Sequence, residues 1–185
     1  AWATHTLASK EGLALLNGTQ FMSAHGIYAT LHARRLDYFS DFIGALSTAA
    51  HDGRIEAFSQ GVHATRPQRG QVLTAQRLFQ WLNEAPIIHN EKVHVQDPYS
   101  FRCMPQVHGA SKNALWHAME VIETEVNSAT DNPLVFSNNG KPEVISGGNF
   151  HGQILAIISD NMAICIHEIA SISERRINQV LDPQW

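Results

Sequence analysis

Ile154-Leu155-Ala156-Ile157-Ile158-Ser159-Asp160-Asn161-Met162-Ala163-Ile164-Cys165-Ile166 contains a single charged residue, Asp160. Ser146-Gly147-Gly148 punctuates the chain just ahead of it, and no proline follows until Pro183. The spacing predicts a helix over about 151–181, which at 1.5 Å per residue is about 45 Å long. A helix that is apolar on nearly every side is expected to be buried on nearly every side. It therefore belongs at the centre of a bundle, touching more than one neighbour and reaching across subunits.

The rest of the chain supports a helical bundle. Residues 10–17 read as a short helix stopped by Asn17-Gly18. Residues 20–50 place Ala24, Tyr28, Leu31, Tyr38, Phe42 and Leu46 at helical spacing, with Arg34 and Arg35 off that stripe. His51 to Gly70 is punctuated by Gly53, Gly61, Pro67 and Gly70 and reads as irregular. A helix is predicted over about 71–83, with Val72, Leu73, Leu78, Phe79 and Leu82 as its apolar set, and another over about 106–127 through Leu115, Met119, Ile122 and Val126. Between them, residues 84–104 form a long polar connection, and loops of that length inside a domain tend to be functional. Thr130-Asp131-Asn132-Pro133 is turn chemistry. Leu134-Val135-Phe136 and Glu143-Val144-Ile145, joined through Asn139-Gly140, read as a hairpin. The fold expected is mainly α: an elongated bundle of long helices with one small β-hairpin and long functional loops.

Composition narrows the class. Hydrophobic residues make up 44% of the 185 and charged residues 16%, as in a globular chain rather than a disordered one. The net charge is -4, with no basic stripe, so nucleic acid is not expected as a partner. No uncharged apolar run reaches membrane-spanning length, so no membrane partner is expected either. Two cysteines, Cys103 and Cys165, make no disulfide framework and fit a reducing, cytoplasmic setting. Eleven histidines invite a metal, but no His-Glu-x-x-His element or cysteine cluster accompanies them, so no metal site is expected. The chain opens on Ala1-Trp2-Ala3 and ends at Asp182-Pro183-Gln184-Trp185, as a single segment of a larger domain would.

The chemistry-bearing stretch is Gln96-Asp97-Pro98-Tyr99-Ser100-Phe101-Arg102-Cys103-Met104-Pro105-Gln106-Val107-His108-Gly109. Asp97 before Pro98 reads as an N-cap with proline at the first helical position. Pro105 biases Met104 away from helix, which limits this helix to about one turn. Tyr99 and Arg102, three apart, then share a face. A phenol beside a guanidinium suits carboxylate binding and proton handling. A helix-capping loop whose Arg102 pairs with a structural acid is the competing reading. Cys103 beside His108 is a further possible nucleophile pair. Asn17 reads by default as a helix C-cap, and Phe150, among Gly147, Gly148 and Gly152, as a core ring under a tight turn.

This stretch also resembles the Gln-Asp-x-Tyr-Ser-x-Arg-Cys-x-Pro-Gln-Val segment of the histidine ammonia-lyases. Lys10 to Gln20, Ser128 to Phe136, Ile145 to Gly152 and Ser173-Glu174-Arg175-Arg176-Ile177 match the same family in the same order. The resemblance spans nearly the whole chain and places it in the middle of a longer protein. It implies an elongated helical bundle assembled as a homotetramer, acting on a small amino acid substrate. It also implies a role for each matching residue. Arg102 binds the substrate carboxylate, and Tyr99 supports catalysis beside the electrophile. Gln96 shapes the site, and Asn17 holds the electrophile and the substrate amine. Phe150 packs against the prosthetic group, and Cys103 becomes a site-lining residue.

That prosthetic group is a methylidene-imidazolone, which the family forms from Ala-Ser-Gly within its own chain. The tripeptide is absent here: Ala8-Ser9, Ala110-Ser111 and Ala170-Ser171 run into Lys10, Lys112 and Ile172. By the resemblance, this chain alone cannot build the electrophile and is inactive by itself. The expected activity is elimination of ammonia from L-histidine to give trans-urocanate. The rivals are a tyrosine or phenylalanine ammonia-lyase, an aminomutase of the same family, and a non-catalytic helical assembly fragment. The fumarase and aspartase group is disfavoured because Val107 stands where its Met-Pro-x-Lys element needs lysine.

Overall fold

The computed structural model describes residues 3–182. The chain folds as α1 (Glu11–Leu16), α2 (Gln20–Ala50), α3 (Gln60–Ala64), α4 (Arg69–Asn83), α5 (Tyr99–Arg102), α6 (Met104–Val126), β1 (Leu134–Asn138), β2 (Lys141–Ile145) and α7 (Gln153–Leu181). Short 3-10 turns at Glu56–Phe58 and Pro86–His89 break up the connections. The expected mainly α bundle with one hairpin is what forms. The readings drawn from Ala1, Trp2, Pro183, Gln184 and Trp185 lie outside the described residues.

Three long helices make the frame. Gly152, at the head of α7, packs against Thr19 and Met22 at the head of α2. Further along, Thr30 Oγ1 lies 3.3 Å from Met162 Sδ, so α2 and α7 run the same way. Between them α6 runs in the opposite direction. Its C-terminal Glu125 accepts a hydrogen bond from Thr19 Oγ1 (2.7 Å), and its early residue His108 meets Asp41. One core, with Ala33, Leu115, Ala118 and Met162, sits between these helices. A second, with Ala45, Phe58, Leu78, Met104 and Ile172, lies under α4 and the 51–59 segment.

Helices α4 and α6 approach so closely that Gly70 and Gly109 face each other backbone to backbone, with no room for a Cβ on either. In the hairpin, Leu134 pairs with Ile145 and Asn138 with Lys141. Asn139 and Gly140 both take positive φ, 51° and 78°, the two-residue turn that matches strand twist.

The buried face of α2 is not the one its apolar spacing indicates. Tyr28, Leu31, Tyr38, Phe42 and Leu46 are exposed, whereas Ser23, Gly26, Thr30, Asp37, Ser40, Asp41 and Gly44 are buried. Small side chains let α6 and α7 approach α2 closely, and this closeness selects the polar face for the interior. Helix α7 departs from expectation in the same sense. It touches α2, α5 and α6, yet Ile157, Ile164, Ile177 and Val180 remain exposed, so one side only is buried within this chain. By length and composition α7 is long and apolar enough to cross a membrane, but its inner face is committed to packing on α6 and α2.

Candidate active site

The predicted one-turn helix is α5, which holds Tyr99, Ser100, Phe101 and Arg102. Its cap differs from expectation. Pro98 is the N-cap, and Asp97 instead turns back to accept the Arg54 backbone N–H at 2.6 Å. Gly53 packs against the Asp97 carboxylate, so the acid ties two loops together. Met104 also departs from expectation, for it is helical and opens α6 directly before Pro105. Proline in the first turn loses no hydrogen bond, and the Met104 sulfur fills the space left by the absent side chain of Gly44. That packing outweighs the steric bias on a residue before proline.

The four residues of α5 divide between two faces. Phe101 is fully buried and stacks on the His51 ring, with centroids 4.4 Å apart and an interplanar angle of 14°. The Ser100 carbonyl accepts a hydrogen bond from Arg176 Nη1 at 3.3 Å. Outward, Tyr99 is 72% exposed, and the Arg102 guanidinium carbon lies 4.6 Å above its ring. Among the described residues no carboxylate pairs with Arg102, and its Nε is buried without a hydrogen-bond partner. A structural acid partner is thus not what holds this guanidinium. Tyr99, Ser100 and Cys103 form one wall of a cleft of about 430 Å³, faced by Glu168, Ile172 and Arg175 of α7. Gln96 lies exposed on the approach to this turn.

Asn17 and Phe150 lie at the other end of the bundle. Asn17 caps α1 through its backbone N–H to Leu13 and is half-buried, and its carboxamide makes no hydrogen bond among the described residues. Phe150 is 39% exposed, with open space beside Gly147 and Gly148. The two residues flank the Thr19–Gly152 contact, whereas Ser100 meets α7 at Arg176. From Gly152 to Arg176 the helix rises about 35 Å. The structure therefore joins Tyr99 to Arg102 and leaves Asn17 and Phe150 far from both.

Sequence reasoning missed a buried polar cluster. Asp37, Asp41, His108 and Lys112 are all nearly or fully buried, and Lys112 Nζ reaches Asp37 Oδ1 at 2.7 Å and Asp41 Oδ1 at 3.0 Å. Arg77 donates to Asp41 Oδ2 at 3.0 Å. Burial raises the Asp37 carboxyl above the usual range despite Lys112. Burial also pushes Asp41 upward, but the His108 hydrogen bond and Lys112 together outweigh it and hold the carboxyl below that range. Burial lowers His108 against the pull of Asp41. With His108 engaged in this way, the possible Cys103–His108 nucleophile pair is not assembled. The available signal was Asp37-x-x-x-Asp41 on one helix face, with His108 and Lys112 repeating the same spacing on another. No three His, Cys, Asp or Glu side chains gather as metal ligands among the described residues.

Known proteins resemble this chain in sequence and fold. The family model for aromatic amino acid lyase matches residues 1–185. A histidine ammonia-lyase of Geobacillus sp. (strain WCH70) is 48% identical over 180 residues, covering 97% of this chain and 35% of that protein. The crystal structure of histidine ammonia-lyase from Trypanosoma cruzi superposes with a TM-score of 0.85 at 44% identity, over 97% of this chain and 33% of the other. A phenylalanine aminomutase of Pantoea agglomerans superposes at 0.90 with 28% identity, over 97% and 38%. The chain spans about a third of the length of the relatives it matches.

Proposed function

The chain belongs to the aromatic amino acid lyase family, and from that premise we propose that it is one segment of a larger helical lyase domain that eliminates ammonia from L-histidine to give trans-urocanate. One observation carries the reading: Arg102 has no acid partner among the described residues and stacks on Tyr99, which lines a cleft. A planar fork left unpaired suits a substrate carboxylate, which it grips through two parallel hydrogen bonds. Histidine is favoured over other aromatic amino acids because relatives at 43% to 48% identity carry the name histidine ammonia-lyase, whereas the aminomutase of Pantoea agglomerans is 28% identical.

The reaction asks several things of the protein. The β-proton of an amino acid is weakly acidic, and ammonia is a poor leaving group. A methylidene-imidazolone, the family's prosthetic group, supplies electrophilic chemistry toward the amine when bound. Asn17, with its free carboxamide, and Phe150, with an open ring face, fit residues that hold such a group. At the other end Arg102 fixes the carboxylate, and Tyr99 sets a phenol close to the same end of the substrate. Gln96 contributes an amide that shapes the entrance. Fixing the substrate in this way lowers the barrier by orientation and by charge placed in advance.

The separation of about 35 Å along α7 requires the two groups of residues to serve different sites, each completed by another copy of the chain. A homo-oligomer, a tetramer by family likeness, supplies those copies, and the exposed apolar faces of α2 and α7 supply surface to assemble it. The two free cysteines suit the cytoplasm.

The test is turnover by the complete gene product on L-histidine, L-tyrosine and L-phenylalanine, followed by the ultraviolet absorbance of the conjugated product. Urocanate is expected. Coumarate or cinnamate in its place reassigns the substrate, and no product from any of the three favours a non-catalytic assembly role.

A further inference from the structure

Arg176 is a residue of the Ser173-Glu174-Arg175-Arg176-Ile177 segment that the proposed chemistry leaves unused. It is 3% exposed, lies on α7, and makes no ion pair among the described residues. Burial lowers its pKa to about 10, with Asp41 opposing, so it stays charged at neutral pH. A buried cation without a close counter-ion costs stability. What it does with that charge is specific. One arm of the fork, Nη1, donates to the Ser100 carbonyl, and the other, Nη2, donates to Ser173 Oγ at 3.0 Å.

Ser100 sits between Tyr99 and Arg102 in a helix of only four residues. Such a helix does not hold itself in place. Among the described residues, the side chains on its outward face, Tyr99 and Arg102, make no hydrogen bond or ion pair and rest on each other through their stack. Its inward residues are Phe101, stacked on His51, and Ser100, held by Arg176. The direction in which the Arg102 fork points is therefore set from behind, through the backbone of α5.

We propose that Arg176 is a positioning residue for carboxylate recognition: through the Ser100 carbonyl it fixes the orientation of the α5 turn, and with it the guanidinium of Arg102. This rests on the reading that Arg102 grips the substrate carboxylate. Lysine at position 176 keeps the charge but has no planar fork to span Ser100 and Ser173.

The experiment compares two inhibitors of the complete gene product. D-Histidine carries the carboxylate, and L-histidinol carries a hydroxymethyl group in its place. For Arg176→Lys, inhibition by D-histidine is expected to weaken about tenfold while inhibition by L-histidinol is unchanged, with KM rising more than kcat falls. Arg102→Lys is expected to show the same selectivity, more strongly. Equal weakening toward both inhibitors in Arg176→Lys, or a lowered melting temperature with both constants intact, while Arg102→Lys stays selective, overturns the role of Arg176 alone. Loss of selectivity in Arg102→Lys overturns the carboxylate reading and this proposal with it. If Arg176→Lys does not fold, Ser173→Ala removes only the hydroxyl that steadies the fork. A shift of about twofold in the same selective direction supports the proposal, and no selective shift overturns it.

Discussion

His108 Nδ1 lies 2.9 Å from Asp41 Oδ1, and neither side chain has any exposure to solvent. An ionised carboxylate only accepts, so the Nδ1 proton belongs to histidine and points at aspartate. Burial keeps the ring neutral below its ordinary pKa of 6.5. The pair is therefore a neutral imidazole donating to a carboxylate, with Lys112 supplying the compensating charge.

Stability is expected to fall on acidification partly through this ring. Below about pH 6.5 the unfolded chain binds a proton at His108 that the native state refuses, so the native state loses ground as pH drops. Above that window the ring contributes no pH dependence. His108→Gln should therefore lose less melting temperature than the parent between about pH 7.5 and 5.5. Parallel melting curves across that range would contradict a neutral buried His108.

Lys112→Met removes the ammonium that reaches both Asp37 and Asp41. Leaving Asp37 without a hydrogen-bonded cation and Asp41 with Arg77 alone should cost about 3–5 kcal/mol in urea unfolding. Adding Asp37→Asn in the same chain should recover part of that loss, because the stranded Asp37 charge is gone. A double variant no better than the single would place the loss elsewhere.

Gly109→Ala should destabilise by about 2 kcal/mol or more, since the added methyl meets the backbone of Gly70 and Gln71 on α4. Gly61→Ala is the control. Nothing lies within 4 Å of its added methyl, and helix propensity alone should leave it neutral or slightly more stable. Equal melting temperatures for the two variants would contradict the close α4–α6 approach.

Tyr99→Phe keeps the ring that stacks under Arg102 and removes only the phenol. In the complete gene product kcat should fall about 100-fold with KM little changed, whereas Tyr99→Ala should raise KM as well because the stack is lost. Unaltered kcat in Tyr99→Phe would remove the phenol from the chemistry.

The long helices were legible from spacing, and so was the α5 turn, because proline, glycine and apolar periodicity act locally. By contrast, α3 (Gln60–Ala64) lies in a stretch read as irregular, its five residues too short to show a period. The side of each helix that faces inward was less so. On α2 the periodic apolar residues lie outside and Ser23, Thr30, Asp37 and Asp41 lie inside. A hydrophobic stripe identifies a surface to be covered but does not say whether this chain covers it. The cluster around Lys112 was hidden for a related reason. A lysine and two aspartates on helices look like solvated charges until distant segments bring them within 3.0 Å. Tyr99 beside Arg102 was readable because a single turn sets their distance. That Asn17 lies at the opposite end of the molecule follows only from the parallel course of α2 and α7.

That parallel course has a genetic consequence. If each working centre takes Asn17 from one copy and Arg102 from another, two inactive alleles can rescue each other. Co-expressing Asn17→Ala with Arg102→Ala chains should rebuild intact centres in mixed assemblies, at roughly a quarter of the total for random mixing. Neither allele would regain activity with a partner damaged at its own end.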